Sequence, residues 1–262
     1  VMMPSVVDVA GLNRVSRPIF ANAAGAICGM VETQVPASDD KPIIAASMFG
    51  NTTECVNHAK TILEEAGFEV LVFHATGAGG RAMESLIESG LVSGVLDLTT
   101  TEWADQLVGG ILGAGPTRLE AAARHGVPAV IAPGCLDMVN FGPRDTIPEK
   151  FSARLFYEHN PQVTLMRTTP EECTDLGRIL AEKANLSTGP CSVLIPTQAI
   201  SVISAPNEVF NNPIADQALF AAIKSNLCQD VEVREIQASV NDSAFAQAAA
   251  ETLLGLMQVQ SI

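Results

Sequence analysis

Positive charge is scarce in this chain. Its 262 residues hold 15 Lys and Arg against 29 Asp and Glu, a formal charge of −14. Phosphate backbones are gripped by clustered cations, so nucleic acid is excluded as a partner. Aromatic residues make up 5%, with one Trp and one Tyr, too few for the stacking platforms that hold single strands. No apolar run is long enough to cross a bilayer. The nearest, Ile19–Val31, is 13 residues long, contains Asn22, Gly25 and Gly29, and follows Arg14 and Arg17. That pattern admits a signal-peptide core, but it also suits a tightly packed Ala/Gly helix, the reading adopted here, and it predicts no membrane association. The six cysteines never lie closer than 18 positions apart, so C-x₂-C zinc motifs and dense disulfide frameworks are absent. No metal site is expected, and the thiols read as reduced, mostly buried residues of a cytoplasmic protein. P-loop, G-x-S-x-G, H-E-x-x-H and kinase signatures are all missing, which removes the common catalytic templates.

What is present is a folding composition: 47% apolar residues and 17% charged, far from the signature of disorder. The abrupt start at Val1-Met2-Met3-Pro4 reads as the middle of a longer phrase. Residues 1–31 are expected to be the remnant of an upstream α/β subdomain, 32–42 (ETQVPASDDKP) a linker, and 43–262 an α/β domain. Within it, short apolar runs at 42–48, 68–73, 94–98, 127–132, 192–195 and 231–236 predict strands. Between them, 3.6-residue periodicity predicts helices. One carries Val56, Ala59, Ile62, Leu63 and Ala66, with Gly67 at its C′ position. Others cover 81–89 and 117–124, start at Thr169-Pro170-Glu171-Glu172 with a capping box, start at Asn212-Pro213, and run through Phe245, Ala249 and Leu256. Alternation of this kind predicts a mainly parallel, doubly wound Rossmann- or flavodoxin-like sheet.

Ligands of such sheets bind at the carboxyl ends of strands, so the loops after strands carry the candidates. After the first strand, Gly50, Asn51, Thr52 and Thr53 can hold an anion on helix amides, or form an ordinary capped turn. After the second, Gly77, Gly79, Gly80 and Arg81 make a phosphate-cradle pattern. Gly77-x-Gly79-x-x-Ala82, with Asp97 20 positions beyond Gly77, also fits a dinucleotide fingerprint, or a plain Gly-rich turn with a surface arginine. After the third, Asp97 and Thr100 are polar-contact candidates, while Glu102 is assigned to a capping box with Thr99. After the fourth come Cys135, read as a buried small residue rather than a nucleophile, and Asp137 and Asn140, ligand contacts or turn residues. In Glu158-His159-Asn160-Pro161, His159 is a general-base candidate or a turn histidine. Asp97, Asp137 and His159 are the catalytic candidates, with no reaction assigned.

Several phrases are longer than motifs. SVVDVAGLNR (5–14), MFGNTTECVN (48–57), LVFHATGAGGRAME (71–84), GVLDLTTTEWAD (94–105), LDMVNFGP (136–143), EHNPQVTLMRTT (158–169) and NDSAFA (241–246) together resemble the ATP-binding family of the tomato mosaic virus resistance protein, which has many bacterial and fungal members of unassigned function. The resemblance implies two α/β subdomains, a homodimer and ATP as ligand. In plants it implies inhibition of tobamovirus replication through a viral replication protein. The chain then looks like the second subdomain with the end of the first.

Three functions follow as expectations. The first is a nucleotide-binding protein that acts on or senses a small anionic metabolite. The second is an NAD-dependent oxidoreductase using Gly77, Gly79, Ala82 and Asp97. The third is a non-catalytic interaction module.

Overall fold

The computed structural model describes residues 1–6, 11–36 and 40–259. Positions 7–10 of the SVVDVAGLNR phrase, 37–39 of the expected linker and the terminal 260–262 lie outside the described residues. The chain divides into two compact units, Val1–Asp40 and Lys41–Ile262.

Among the described residues, the first unit holds one helix, α1 (Ser16–Glu32). Asn13 starts it, its side-chain oxygen accepting from the amides of Val15 (2.8 Å) and Ser16 (2.9 Å). This is how a short polar side chain satisfies otherwise orphaned donors. The helix takes in the Ala/Gly stretch 21–29, but of its side chains only Ser16 is buried. Phe20, Ile27, Met30 and Val31 are half to largely exposed.

The second unit is built on a six-stranded parallel sheet. Its elements are β1 (Ile43–Met48), α2 (Thr53–Glu65), β2 (Glu69–His74), α3 (Ala78–Glu88), β3 (Val92–Thr99), α4 (Glu102–Val108), α5 (Glu120–His125) and β4 (Ala129–Gly134). After β4 come β5 (Met138–Phe141), β6 (Phe156–Asn160), β7 (Val163–Arg167), α6 (Pro170–Ala184), β8 (Cys191–Pro196), α7 (Pro213–Asn226), β9 (Glu232–Ile236) and α8 (Ser243–Val259). The strand order is β2-β1-β3-β4-β8-β9, with every pair parallel. This is the doubly wound arrangement expected from the alternation, with the flavodoxin-like reversal at β1/β3.

Side-chain alternation shows why the strands read as apolar runs. Along β1, Ile44 and Ala46 join the core beneath α2 and α8, while Ala45 points to the opposite core beneath α3 and α5. Along β8, Val193 and Ile195 enter the core of α6 and α7, and Leu194 the other face. Both faces are covered, so neither alternates with polar residues.

Local signals held at most boundaries. Gly67 takes φ +98° just past α2, and Gly126 φ +67° just past α5. The capping box at α6 is present: Glu172 N donates to Thr169 Oγ1 (3.2 Å), and Thr169 N donates to Glu172 Oε2 (2.8 Å). Asn212 caps α7 through Ala215 N.

Two expectations need correction. Helix α3 begins at Ala78, three residues before the expected start. Gly79 and Gly80 therefore form its first turn instead of a loop, and Gly77, at φ +79°, is the turn residue. The second concerns residues 138–167, where the apolar runs predict no strand. These residues hold a second, antiparallel sheet in the order β5-β7-β6. Glu158 and His159 are strand residues, and the turn is Asn160–Gln162, where Asn160 Oδ1 accepts from Gln162 N (2.8 Å).

Candidate functional site

Between β1 and β3 the chain reverses its winding direction, and the carboxyl ends of those strands form the topological switch point where open α/β sheets receive ligands. The loop after β1 leads into a 3₁₀ turn, Gly50–Thr52, that continues directly into α2. Thr52 organises it from inside. Its hydroxyl accepts from Phe49 N (3.0 Å) and pairs with Thr99 Oγ1 (2.7 Å) at the end of β3. Gly50 is exposed and Asn51 half-buried, and neither amide donates to another described residue. A Cβ on Gly50 would meet nothing within 4 Å. The start of this helical run thus offers two unengaged donors and a helix dipole to an anion. Thr53 Oγ1 faces back to the carbonyls of Phe49 and Gly50.

The loop after β2 has the opposite character. Gly77 N donates to Glu102 Oε1 at 2.6 Å and Gly80 N to the same oxygen at 3.1 Å. An anion already occupies this helix start, and it is the protein's own carboxylate. The glycines answer to it. A Cβ on Gly80 would overlap the Glu102 carboxylate, and one on Gly79 would overlap the carbonyl of His74. Arg81 is exposed and donates to Gly113 O (3.1 Å). Glu102 is therefore not in a capping box with Thr99: α4 starts at Glu102 with Thr101 at its N-cap, and no side chain caps that start.

Glu102 belongs to a buried cluster centred on Arg118, which is 1% exposed. Arg118 Nε donates to Glu102 Oε2 (2.6 Å), Nη1 to Asp97 Oδ2 (2.5 Å) and Glu84 Oε1 (3.1 Å), and Nη2 to Asp97 Oδ1 (2.7 Å). Ser47 Oγ, on β1, donates to Asp97 Oδ1 (2.6 Å). Glu84 in turn accepts from Leu119 N (2.7 Å) and Ala121 N (2.8 Å) at the start of α5. Three carboxylates thus share one guanidinium and four helix-start amides. The three anions drive the Arg118 pKa well above its ordinary value against the opposing effect of burial, whereas burial, the leading cause, raises that of Glu84. Both oxygens of Asp97 are engaged inside the fold. The sequence reading missed Arg118. The helix expected over 117–124 begins only at Glu120, so Arg118 stands in the turn before it, ahead of Leu119 at φ +75°, and no helical phase marks it.

The remaining candidates are dispersed. Thr100 is buried, its hydroxyl donating to Ala132 O (3.1 Å). Asn140 is clamped to Asp105: its amide N donates to Oδ1 (2.6 Å) and its Nδ2 to Oδ2 (2.8 Å). Burial pushes Asp105 up to about 7 despite these donors. Asp137 is fully buried, accepts from Ser201 Oγ (2.7 Å), and has no hydrogen-bond partner on Oδ1 among the described residues. Burial raises its pKa. Cys135 is fully buried at φ +60°, and burial raises its thiol well above the ordinary range, the opposite of an activated nucleophile. His159 is exposed on β6, its ring 6.4 Å from that of Tyr157. Among the described residues, no group of His, Cys, Asp or Glu side chains could hold a metal ion. No described helix is long and apolar enough to cross a membrane.

A cavity of about 910 Å³ opens at the other end of the sheet, where Pro42, Phe68 and Pro128 precede their strands, Val92 opens β3, and Leu254 and Met257 of α8 close one side. It lies away from the strand carboxyl ends.

Residues 41–257 match the uncharacterised protein family (UPF0261) C-terminal domain, and residues 1–36 its N-terminal domain. A UPF0261 protein of Clostridium tetani is 52% identical over 259 residues, covering 98% of this chain and 64% of its own length. One from Rhizobium meliloti is 49% identical, covering 95% and 63%. The ToMV resistance protein Tm-1(GCR237) of Solanum lycopersicum is 41% identical over 262 residues, covering 97% of this chain and 35% of its own. The chain spans less than two thirds of the length of these curated relatives. It belongs to the UPF0261 family, which includes homologues of the tomato protein.

Proposed function

We propose, from membership of this family and the geometry of the sheet, that the chain binds the phosphate of a nucleotide, with ATP as the ligand the family resemblance suggests. The site is the switch point, with Gly50 and Asn51 N–H groups as donors and Thr52 and Thr53 shaping the turn. The observation that carries this reading is the pair of unengaged amides, Gly50 and Asn51, in the turn that leads into α2 beside the β1/β3 reversal; the first-turn amide of Cys55 is already taken by Asn241 Oδ1. With so few cations in the chain, backbone amides are the natural anion ligands. NAD is less well supported, because the amides of Gly77 and Gly80 and both oxygens of Asp97 are committed within the fold. A reducing cytoplasm suits the six free thiols.

A thermal-shift panel with calorimetry tests this reading. ATP is expected to raise the melting temperature, and NAD is not. Asn51→Asp places a carboxylate at the helix start and should weaken ATP binding roughly three- to thirty-fold by like-charge repulsion. Unchanged affinity in that variant would reject the site. A second reading, an interaction module pairing in a homodimer, rests on the apolar side chains of α1 that stand exposed. A concentration-independent monomer in light scattering would count against it.

A further inference from the structure

The loop that most resembles a phosphate cradle is filled. We infer that Gly77–Gly80 is an anion site whose resident ligand is the protein's own Glu102 carboxylate, a built-in anion that locks β2–α3 to α4 and Arg118 and shuts external phosphate out. Three donors converge on that carboxylate: the amides of Gly77 and Gly80 on Oε1 and the guanidinium Nε of Arg118 on Oε2. An amide pair at a helix start plus an arginine is the chemistry that binds a phosphate or carboxylate from solution. Here the anion is tethered, which removes the entropic cost of capturing a free one. The glycines fit this ligand in particular, since at position 80 a Cβ would collide with the Glu102 carboxylate itself. Glu102 is 1% exposed, so the site has no free face. This goes beyond the nucleotide proposal, and it stands or falls without any nucleotide.

Two measurements test it. In Glu102→Ala the three donors remain and the side chain is gone, so a small carboxylate should take its place. Formate at roughly 100 mM is expected to raise the melting temperature of this variant by at least about 3 °C over equal chloride, and to leave the wild type and Glu102→Gln unmoved. If Glu102→Ala is unfolded in chloride, formate should restore its fold. Absence of a selective formate effect would overturn the inference. On the intact protein, the amide resonances of Gly77 and Gly80 should stay in place as inorganic phosphate is titrated in, and shift when Glu102 becomes Gln. Movement of both amides with phosphate in the wild type would show the site open and contradict the assignment. Neither measurement reads Gly50 or Asn51, so failure here and failure of the nucleotide site are separable.

Discussion

Replacing Arg118 with Met removes the cation that Glu84, Asp97 and Glu102 share. The side chain is 1% exposed, and Asp97 and Glu102 are buried with it. Met has nearly the volume of the arginine stem, so the change is mainly one of charge. Removing one partner of a buried ion pair costs about 3–5 kcal/mol, because the other is left uncompensated in low dielectric. Against a whole-domain stability of roughly 5–15 kcal/mol this is a large share. At about 2–4 °C per kcal/mol for a domain of this size, the melting temperature should fall by roughly 6–20 °C.

The deficit should also depend on pH. Burial already raises the Glu84 carboxyl above its ordinary value, and without Arg118 its main opposing charge is gone. The folded state then binds more protons than the unfolded, and stability falls as pH rises through that window. The variant should therefore recover part of its melting temperature between about pH 8 and about pH 5.5, more than the wild type does. Calorimetric melts across that range read both effects. A deficit below about 1 kcal/mol, or one flat with pH, would refute the reasoning that the cluster is a charge-balanced unit.

Other consequences follow from packing and titration. Gly79→Ala forces a Cβ into the His74 carbonyl and should cost at least about 2 kcal/mol, whereas Gly50→Ala meets open space and should stay within about 0.5 kcal/mol, as denaturant midpoints will show. Asp105, held up to about 7 mainly by burial, prefers its proton in the fold. Its contribution favours the folded state at low pH and is lost as pH rises from the unfolded value through about 7. Denaturation midpoints at about pH 5 and about pH 8 should therefore converge in Asp105→Asn relative to wild type, even though Asn also costs stability by placing an amide against the donors of Asn140.

The parallel sheet was legible because both its faces are buried, so β1, β4 and β8 read as unbroken apolar runs, and because helix ends carry local chemistry such as Thr169/Glu172 and Gly67. The antiparallel sheet was not. Its strands are only four or five residues long, β6 is mostly exposed and polar, and the turn residues of Asn160-Pro161 dominate its signal. The Gly-rich loop was found but its partner was not, since Glu102 lies 25 positions from Gly77 and only the fold brings them together. Arg118 was missed for the same reason. Its meaning depends on Asp97, Glu84 and Glu102 converging from three separate elements.

On this proposal, phosphate is held by the Gly50 and Asn51 amides in the turn that leads into α2. Crystals soaked in ATP test it most directly. Phosphate density is expected within hydrogen-bonding distance of the Gly50 and Asn51 amides, with Glu102 still seated on Gly77 and Gly80. ATP bound anywhere else, or density at the Gly77–Gly80 loop with Glu102 displaced, would contradict it.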